Sequence, residues 1–108
     1  MITFTVKYPY KKGCRFDMGY YLSVHIGIAK KYFGNKCKGY TILGGESSLN
    51  EGKAPQFACL SHLFFNSLEE FKTAMAPAEK ELLADVKNFT DIIPEVEFSG
   101  VSMHEWQE

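Results

Sequence analysis

Residues 56–65 read Gln-Phe-Ala-Cys-Leu-Ser-His-Leu-Phe-Phe, a run that a β-strand cannot sort into one wet side and one dry side. Side chains alternate along a strand. Phe57, Cys59, Leu63 and Phe65 therefore share one face with Ser61 among them, while Ala58, Leu60, His62 and Phe64 share the other. A sheet with one solvated face shows cleaner alternation, so this strand calls for apolar cover on both sides.

The neighbouring segments supply cover for only one of them. Residues 2–8 alternate with Ile2, Phe4, Val6 and Tyr8 on one side, a strand that Pro9 ends. Asp17 is placed to cap a first helix, with Phe16 and Tyr21 at the spacing of a hydrophobic staple. Met18, Leu22, His25, Ala29 and Tyr32 or Phe33 form its apolar stripe, and Gly34 stops it. Residues 37–44 read as a second strand, 44–53 as a polar, mobile loop, and 56–65 as the third strand. Ser67 and Glu70 form a capping box opening a second helix, with Phe71, Ala74 and Met75 inward and a kink or restart at Pro77. Residues 91–100 supply a fourth strand, with Pro94 favouring an edge or a bulge, and 101–108 form a short tail. The order βαββαβ points to an α+β, ferredoxin-like, four-stranded antiparallel sheet with two helices on one face. The uncovered face is expected to meet its counterpart in a second copy about a two-fold axis, leaving a small-molecule cavity between each sheet and its own helices.

At 108 residues the chain fits one domain, residues 1–108, large enough for a core without disulfides or metals. A hydrophobic fraction of 45% excludes disorder. The net charge of −1 argues against general nucleic-acid binding. Charge is uneven, though: residues 1–54 hold nine Lys/Arg and three Asp/Glu (+6), and residues 55–108 hold three Lys and ten Asp/Glu (−7). Such halves are either solvated faces or surfaces that attract each other. Three scattered cysteines, Cys14, Cys37 and Cys59, fit neither a disulfide framework nor a zinc site. With no signal-like start and no run near the ~20 apolar residues of a membrane span, a cytoplasmic, membrane-free protein is expected.

Arg15-Phe16-Asp17-x-x-Tyr20-Tyr21-x-x-x-His25, running into the first helix, resembles the EthD family, the ethyl tert-butyl ether degradation protein D group. The likeness includes Tyr8-Pro9, Lys38-Gly39-Tyr40, the run from His62 to Phe71, Phe89-Thr90-Asp91 and Pro94. It implies a dimeric α+β barrel, in a superfamily of small monooxygenases, isomerases, decarboxylases and haem-degrading enzymes. EthD-like proteins accompany catabolic gene sets without an established biochemical role, so the reaction does not follow from the fold.

His25 is the sharpest catalytic candidate. On the sheet-facing side of the first helix it titrates near neutrality and can move a proton or polarise a carbonyl; the plainer alternative is a core histidine satisfied by one hydrogen bond. Tyr21, one turn earlier, is either a hydrogen-bond donor into the cavity or a staple residue. Asp17 lies about 12 Å along the axis from His25 and is better explained as a cap. Tyr8, Tyr40, Cys59 and His62 are the candidate ligand-binding residues. His62 points to the dimer interface if Phe65 packs on the helices, and into the cavity if the register is reversed; Tyr40 is similarly ambiguous. A buried Cys59 is more often a small hydrophobe than a nucleophile. No phosphate-binding loop and no HxxxH or HExxH metal pattern occurs, so no cofactor and no metal are expected. The readings are a cofactor-independent enzyme on a small oxygenated or aromatic metabolite, and a non-catalytic carrier or accessory protein using the same cavity. Haem binding through the helix His and RNA binding are weaker. The third strand lacks the basic-Gly-aromatic pattern of RNA-recognition domains.

Overall fold

The computed structural model describes residues 1–49 and 52–107. Strand β1 (Ile2–Pro9) leads to helix α1 (residues 18–33), strands β2 (Cys37–Gly44) and β3 (Phe57–Phe65), helix α2 (Leu68–Asp85) and strand β4 (Glu95–Gly100). The sheet order is β2-β3-β1-β4, with every neighbouring pair antiparallel. This is the expected ferredoxin-like α+β arrangement. Of the expected mobile loop 44–53, Asn50 and Glu51 lie outside the described residues, as does Glu108 of the tail.

Helix α1 is one helix in three parts: an α-helical turn Met18–Tyr20, a π-helical segment Tyr21–His25 and an α-helical segment Ile26–Phe33. Asp17 caps it by accepting from the Tyr20 amide at 3.0 Å, and the Phe16 and Tyr21 rings meet at 5.3 Å as a staple. The helix stops at Gly34, whose φ of 51° is costly for a residue with a Cβ. The expected stripe needs one correction: Leu22 is half exposed and Tyr21 takes the inward place. In the π-segment the Ile26 amide reaches back five residues to the Tyr21 carbonyl. The wider turn brings Tyr21, His25 and Ile26 all to the buried side.

Helix α2 runs unbroken through Pro77 rather than kinking or restarting. Pro77 deprives the Thr73 carbonyl of its partner, but both residues are exposed, so water can take the place of the lost amide. Ser67 accepts from the Glu70 amide at 3.2 Å, half of the capping box. The last strand is shorter than expected. Residues 91–94 are spent on a turn in which Asp91 accepts from the Arg15 amide and Ile92 enters the core. Pro94 comes just before β4, which is an edge strand.

Two core clusters share the helix-facing side of the sheet. One gathers Leu63, Phe65, Phe33, Phe71 and Ala78; the other gathers Tyr8, Tyr21, Cys59, Phe89 and Ile92. The opposite side of β3 carries Ala58, Leu60, His62 and Phe64, all half-buried. Its neighbours on the β1 side are polar: β3 residues Phe64, His62 and Leu60 pair with Thr3, Thr5 and Lys7 of β1, which pair in turn with Ser99, Glu97 and Glu95 of β4, whereas on the β2 side Leu60 pairs with Leu43. The second face is therefore an apolar stripe beside a polar one, not uniformly apolar. The tail returns across it. Val101 donates to the Met1 carbonyl at 3.0 Å, and the His104 ring meets Phe64 at 5.8 Å.

Candidate functional site

A cleft of about 530 Å3 opens between α2 and the β1–β4 edge of the sheet. Its walls follow from register. Phe4 and Phe98 are directly paired and meet Phe71 of α2, with centroids 4.6 to 5.4 Å apart. Val6 pairs with Val96 on the sheet side, and Met75 of α2 lines the helix side. Tyr8, Pro94, Val86 and His25 line the cleft as well. Since Phe4 and Tyr8 are four residues apart on one strand, the aromatic and polar ends are separated by about 13 Å. Lys72 and Glu79 are the charged residues at its rim.

His25 is 8% exposed and lies between the Tyr21 ring (5.3 Å, stacked) and the Phe89 ring (4.6 Å). Its Nδ1 is 2.9 Å from Oδ2 of Asp85, at the C-terminal end of α2. Oδ1 of the same carboxylate accepts from the Tyr20 hydroxyl at 2.6 Å and from Asn88 Nδ2 at 3.0 Å. Burial pushes the Asp85 carboxyl up, but the hydrogen bonds from Tyr20, Asn88 and His25 outweigh it and hold it below the ordinary value. Burial pulls His25 below the ordinary histidine value, against the opposing pull of Asp85. The pair is thus a carboxylate and a neutral imidazole near pH 7. With the carboxylate ionised, Nδ1 carries the proton and donates, so Nε2 is left with its lone pair. Nε2 has no hydrogen-bond partner among the described residues, and none of their sealed side-chain polar atoms is unpartnered. It therefore keeps access to the cleft.

The segment holding Asp85 is fastened to the start of α1. Arg15 donates through its amide to Asp91 and through its guanidinium to the Lys87 carbonyl, both at 2.9 Å. Thr90 donates to the Arg15 carbonyl at 2.6 Å, and the Asp17 amide to the Phe89 carbonyl at 2.8 Å. These contacts join the two ends of the His25–Asp85 pair, which are 60 residues apart in sequence.

The remaining candidates fall in three places. Tyr8 is 2% exposed, lines the cleft, and is pushed upward by burial. Tyr21 lies behind it, its hydroxyl 2.7 Å from Ser61 Oγ and its pKa raised by burial to about 12. Cys59 is fully buried beside Ser61 at 3.6 Å, its thiol pushed by burial to about 11. That suits a packed thiol rather than a nucleophile. Tyr40 faces the helices from β2, two strands from β1, beneath Lys30 Nζ at 5.5 Å. His62 is on the opposite sheet face, 2.9 Å from the Thr5 hydroxyl. Phe65 packs on the helices against Phe33 and Phe71, which settles the register. The cleft therefore gathers His25 and Tyr8, with Tyr21 behind them, and excludes Tyr40, Cys59 and His62. Asp85, Asn88 and the Tyr20 hydroxyl are absent from the sequence-derived set. Only the motif containing Tyr20 and the run Phe89-Thr90-Asp91 flanking Asn88 hinted at them.

The EthD domain family model matches residues 16–93. Among solved structures, an EthD-like protein from Ralstonia eutropha is similar, with 35% identity over 96% of this chain and 94% of that one and a TM-score of 0.92. An ethyl tert-butyl ether degradation (EthD) family protein from Bacillus halodurans shares the fold at 12% identity, covering 94% of this chain and 98% of its own, with a TM-score of 0.70. A dimeric ferredoxin-like protein of unknown function from Thermobifida fusca shares it at 12% identity, covering 93% and 90%, with a TM-score of 0.56. No curated protein matches the chain.

Proposed function

The chain belongs to the EthD family, and from that premise and the geometry of the cleft we propose a cofactor-independent catalyst of proton transfer on a small, largely apolar, oxygenated or aromatic molecule. One observation carries the reading: a nearly buried imidazole has Nδ1 fixed by a carboxylate and Nε2 open to an apolar cleft. A neutral, oriented imidazole of this kind is a general base that can return the proton as an acid. A carrier would need the apolar walls, but not an aspartate held by three hydrogen bonds to fix one tautomer. His25 is the catalytic residue of this reading, with Asp85 positioning it.

The protein is proposed to act as a homodimer in a reducing, cytoplasmic compartment. The half-buried stripe Ala58, Leu60, Phe64 and the dimeric state named for the Thermobifida protein support the first part. The three free cysteines support the second.

The test is a panel of small aromatic and aliphatic ketones, esters, phenols and alcohols, followed by NMR for binding and for chemical change. Binding is expected to perturb His25 and to be lost in Val96→Trp, which fills the cleft. His25→Gln is expected to retain binding and lose conversion. Bound compounds recovered unchanged from the wild type, with no hydrogen exchanged, would favour the carrier. Binding unaffected by Val96→Trp would remove the cleft from the argument.

A further inference from the structure

The polar end of the cleft is lined by a second hydrogen-bonding group, Tyr8. Tyr8 is 2% exposed, and its hydroxyl lies beside that of Tyr21, the two sharing a hydrogen bond that acts on the ionisation of both. A phenolic hydroxyl can donate one hydrogen bond and accept others, so accepting from Tyr21 leaves the Tyr8 proton free for a ligand in the cleft that Tyr8 lines. Tyr8 and His25 both rest on Tyr21 and Phe89: Tyr8 at 5.8 Å from each ring, His25 at 5.3 and 4.6 Å. Tyr8 and His25 thus line the same end of a cleft whose other walls are apolar apart from Lys72 and Glu79 at the rim.

Resting on the proton-transfer reading above, we infer that the substrate is an apolar carbonyl compound with an acidic C–H beside its carbonyl, held by the Tyr8 hydroxyl and deprotonated by His25 Nε2. Tyr8 binds the carbonyl oxygen, and the apolar remainder lies along Val6, Val96 and Met75 toward the Phe4–Phe71–Phe98 cluster. The C–H bond breaks, and its proton goes to Nε2. The electron pair becomes the new C=C bond while the carbonyl π pair moves to oxygen. The resulting enolate is stabilised by the Tyr8 hydrogen bond. Return of the proton to either position regenerates the ketone or leaves its tautomer, so no oxidant, reductant or metal is required. Tyr21 acts behind Tyr8. Its hydroxyl and that of Ser61 lie 2.7 Å apart and either can donate, so the pair can turn its protons toward Tyr8 once Tyr8 donates forward. Such a chain strengthens the leading hydrogen bond.

The probe is benzylacetone in D2O, with exchange of its hydrogens alpha to the carbonyl followed by NMR and its binding followed through the line broadening of its own aromatic signals. The wild type is expected to bind it and accelerate exchange. Tyr8→Phe, which removes the hydroxyl alone, is expected to slow exchange about 100-fold while weakening binding by no more than about tenfold. His25→Gln is expected to abolish exchange with binding retained. Equal exchange in the wild type and Tyr8→Phe overturns this inference and leaves the His25 reading standing. Exchange that survives His25→Gln overturns the reading beneath it. Benzylacetone that binds without accelerated exchange, or does not bind, overturns the carbonyl assignment.

Discussion

Asp85 governs His25 through geometry and charge, and both are open to measurement. Replacing Asp85 by Asn keeps the size but removes the anion that three donors serve. A loss of about 1–3 kcal/mol in thermal or urea unfolding is expected, and the His25 titration should move further down because Asp85 is what opposes its burial. A titration that stays in place would show that the carboxylate does not act on the ring. The wild type should also lose stability on acidification in two steps of the same sign. His25 is harder to protonate in the folded chain than in the unfolded chain, so stability falls as the pH drops from its ordinary value of 6.5 through its folded value. Asp85 stabilises fully above its ordinary 3.8, and that contribution disappears as the pH falls through its lowered folded value. His25→Gln should abolish the first step and leave the second. At this scale His25 and Tyr8 were legible in the sequence, because helical and strand periodicity place them on inward faces. Asp85 was not, because no local pattern tells a helix-end carboxylate that it will meet a ring 60 residues away.

The helix ends and the turn after α2 do more for the site than the helices' middles. Phe89 is fully buried and touches the rings of Tyr8, Phe16, Tyr20, Tyr21 and His25. It joins the 85–91 segment to α1 and β1 together. Phe89→Ala is expected to cost about 3–5 kcal/mol in unfolding, whereas Leu83→Ala, at a position 66% exposed on α2, should change stability by no more than about 0.5 kcal/mol. Comparable losses at the two positions would contradict this placement of the core. The element order was readable from alternation, caps and Gly34, since each is a local rule. Two features were not. The π-segment moves Leu22 outward and Tyr21 inward because its turn holds an extra residue, and a periodicity of 3.6 cannot anticipate that. The 91–94 stretch looked like strand because Ile92 and Ile93 are β-formers. It became a turn because Arg15 and Thr90 hold it by hydrogen bonds across the sequence.

At the scale of the whole molecule, the uneven charge acquires a direction. The basic half contributes β2, with Lys38 in it and Lys36 just before it at one edge of the sheet, and the acidic half contributes β4, with Glu95 and Glu97 at the other. If two sheets meet through their second faces about an axis parallel to the strands, the β2 edge of each copy lies over the β4 edge of its partner, and opposite charges face each other. An axis across the strands would instead set like edges together. The first arrangement also stacks the apolar stripe of β3 over the β1 side of the partner, where Thr3 and Thr5 are already buried, and leaves both clefts on the outside. Leu60 lies within that stripe, half-buried and facing away from the helices. Leu60→Glu is therefore expected to convert a two-chain particle into a single chain in sedimentation at micromolar concentration, with the helix-side core intact by circular dichroism. Glu97→Lys should weaken the dimer mainly at low salt, because beyond about 0.1 M the attraction between exposed edges is screened over about 10 Å. A wild-type chain that sediments alone would refute the association. A Glu97→Lys effect independent of salt would refute the axis but leave the dimer, because the stripe's contribution depends on apolar area and not on which edge lies over which.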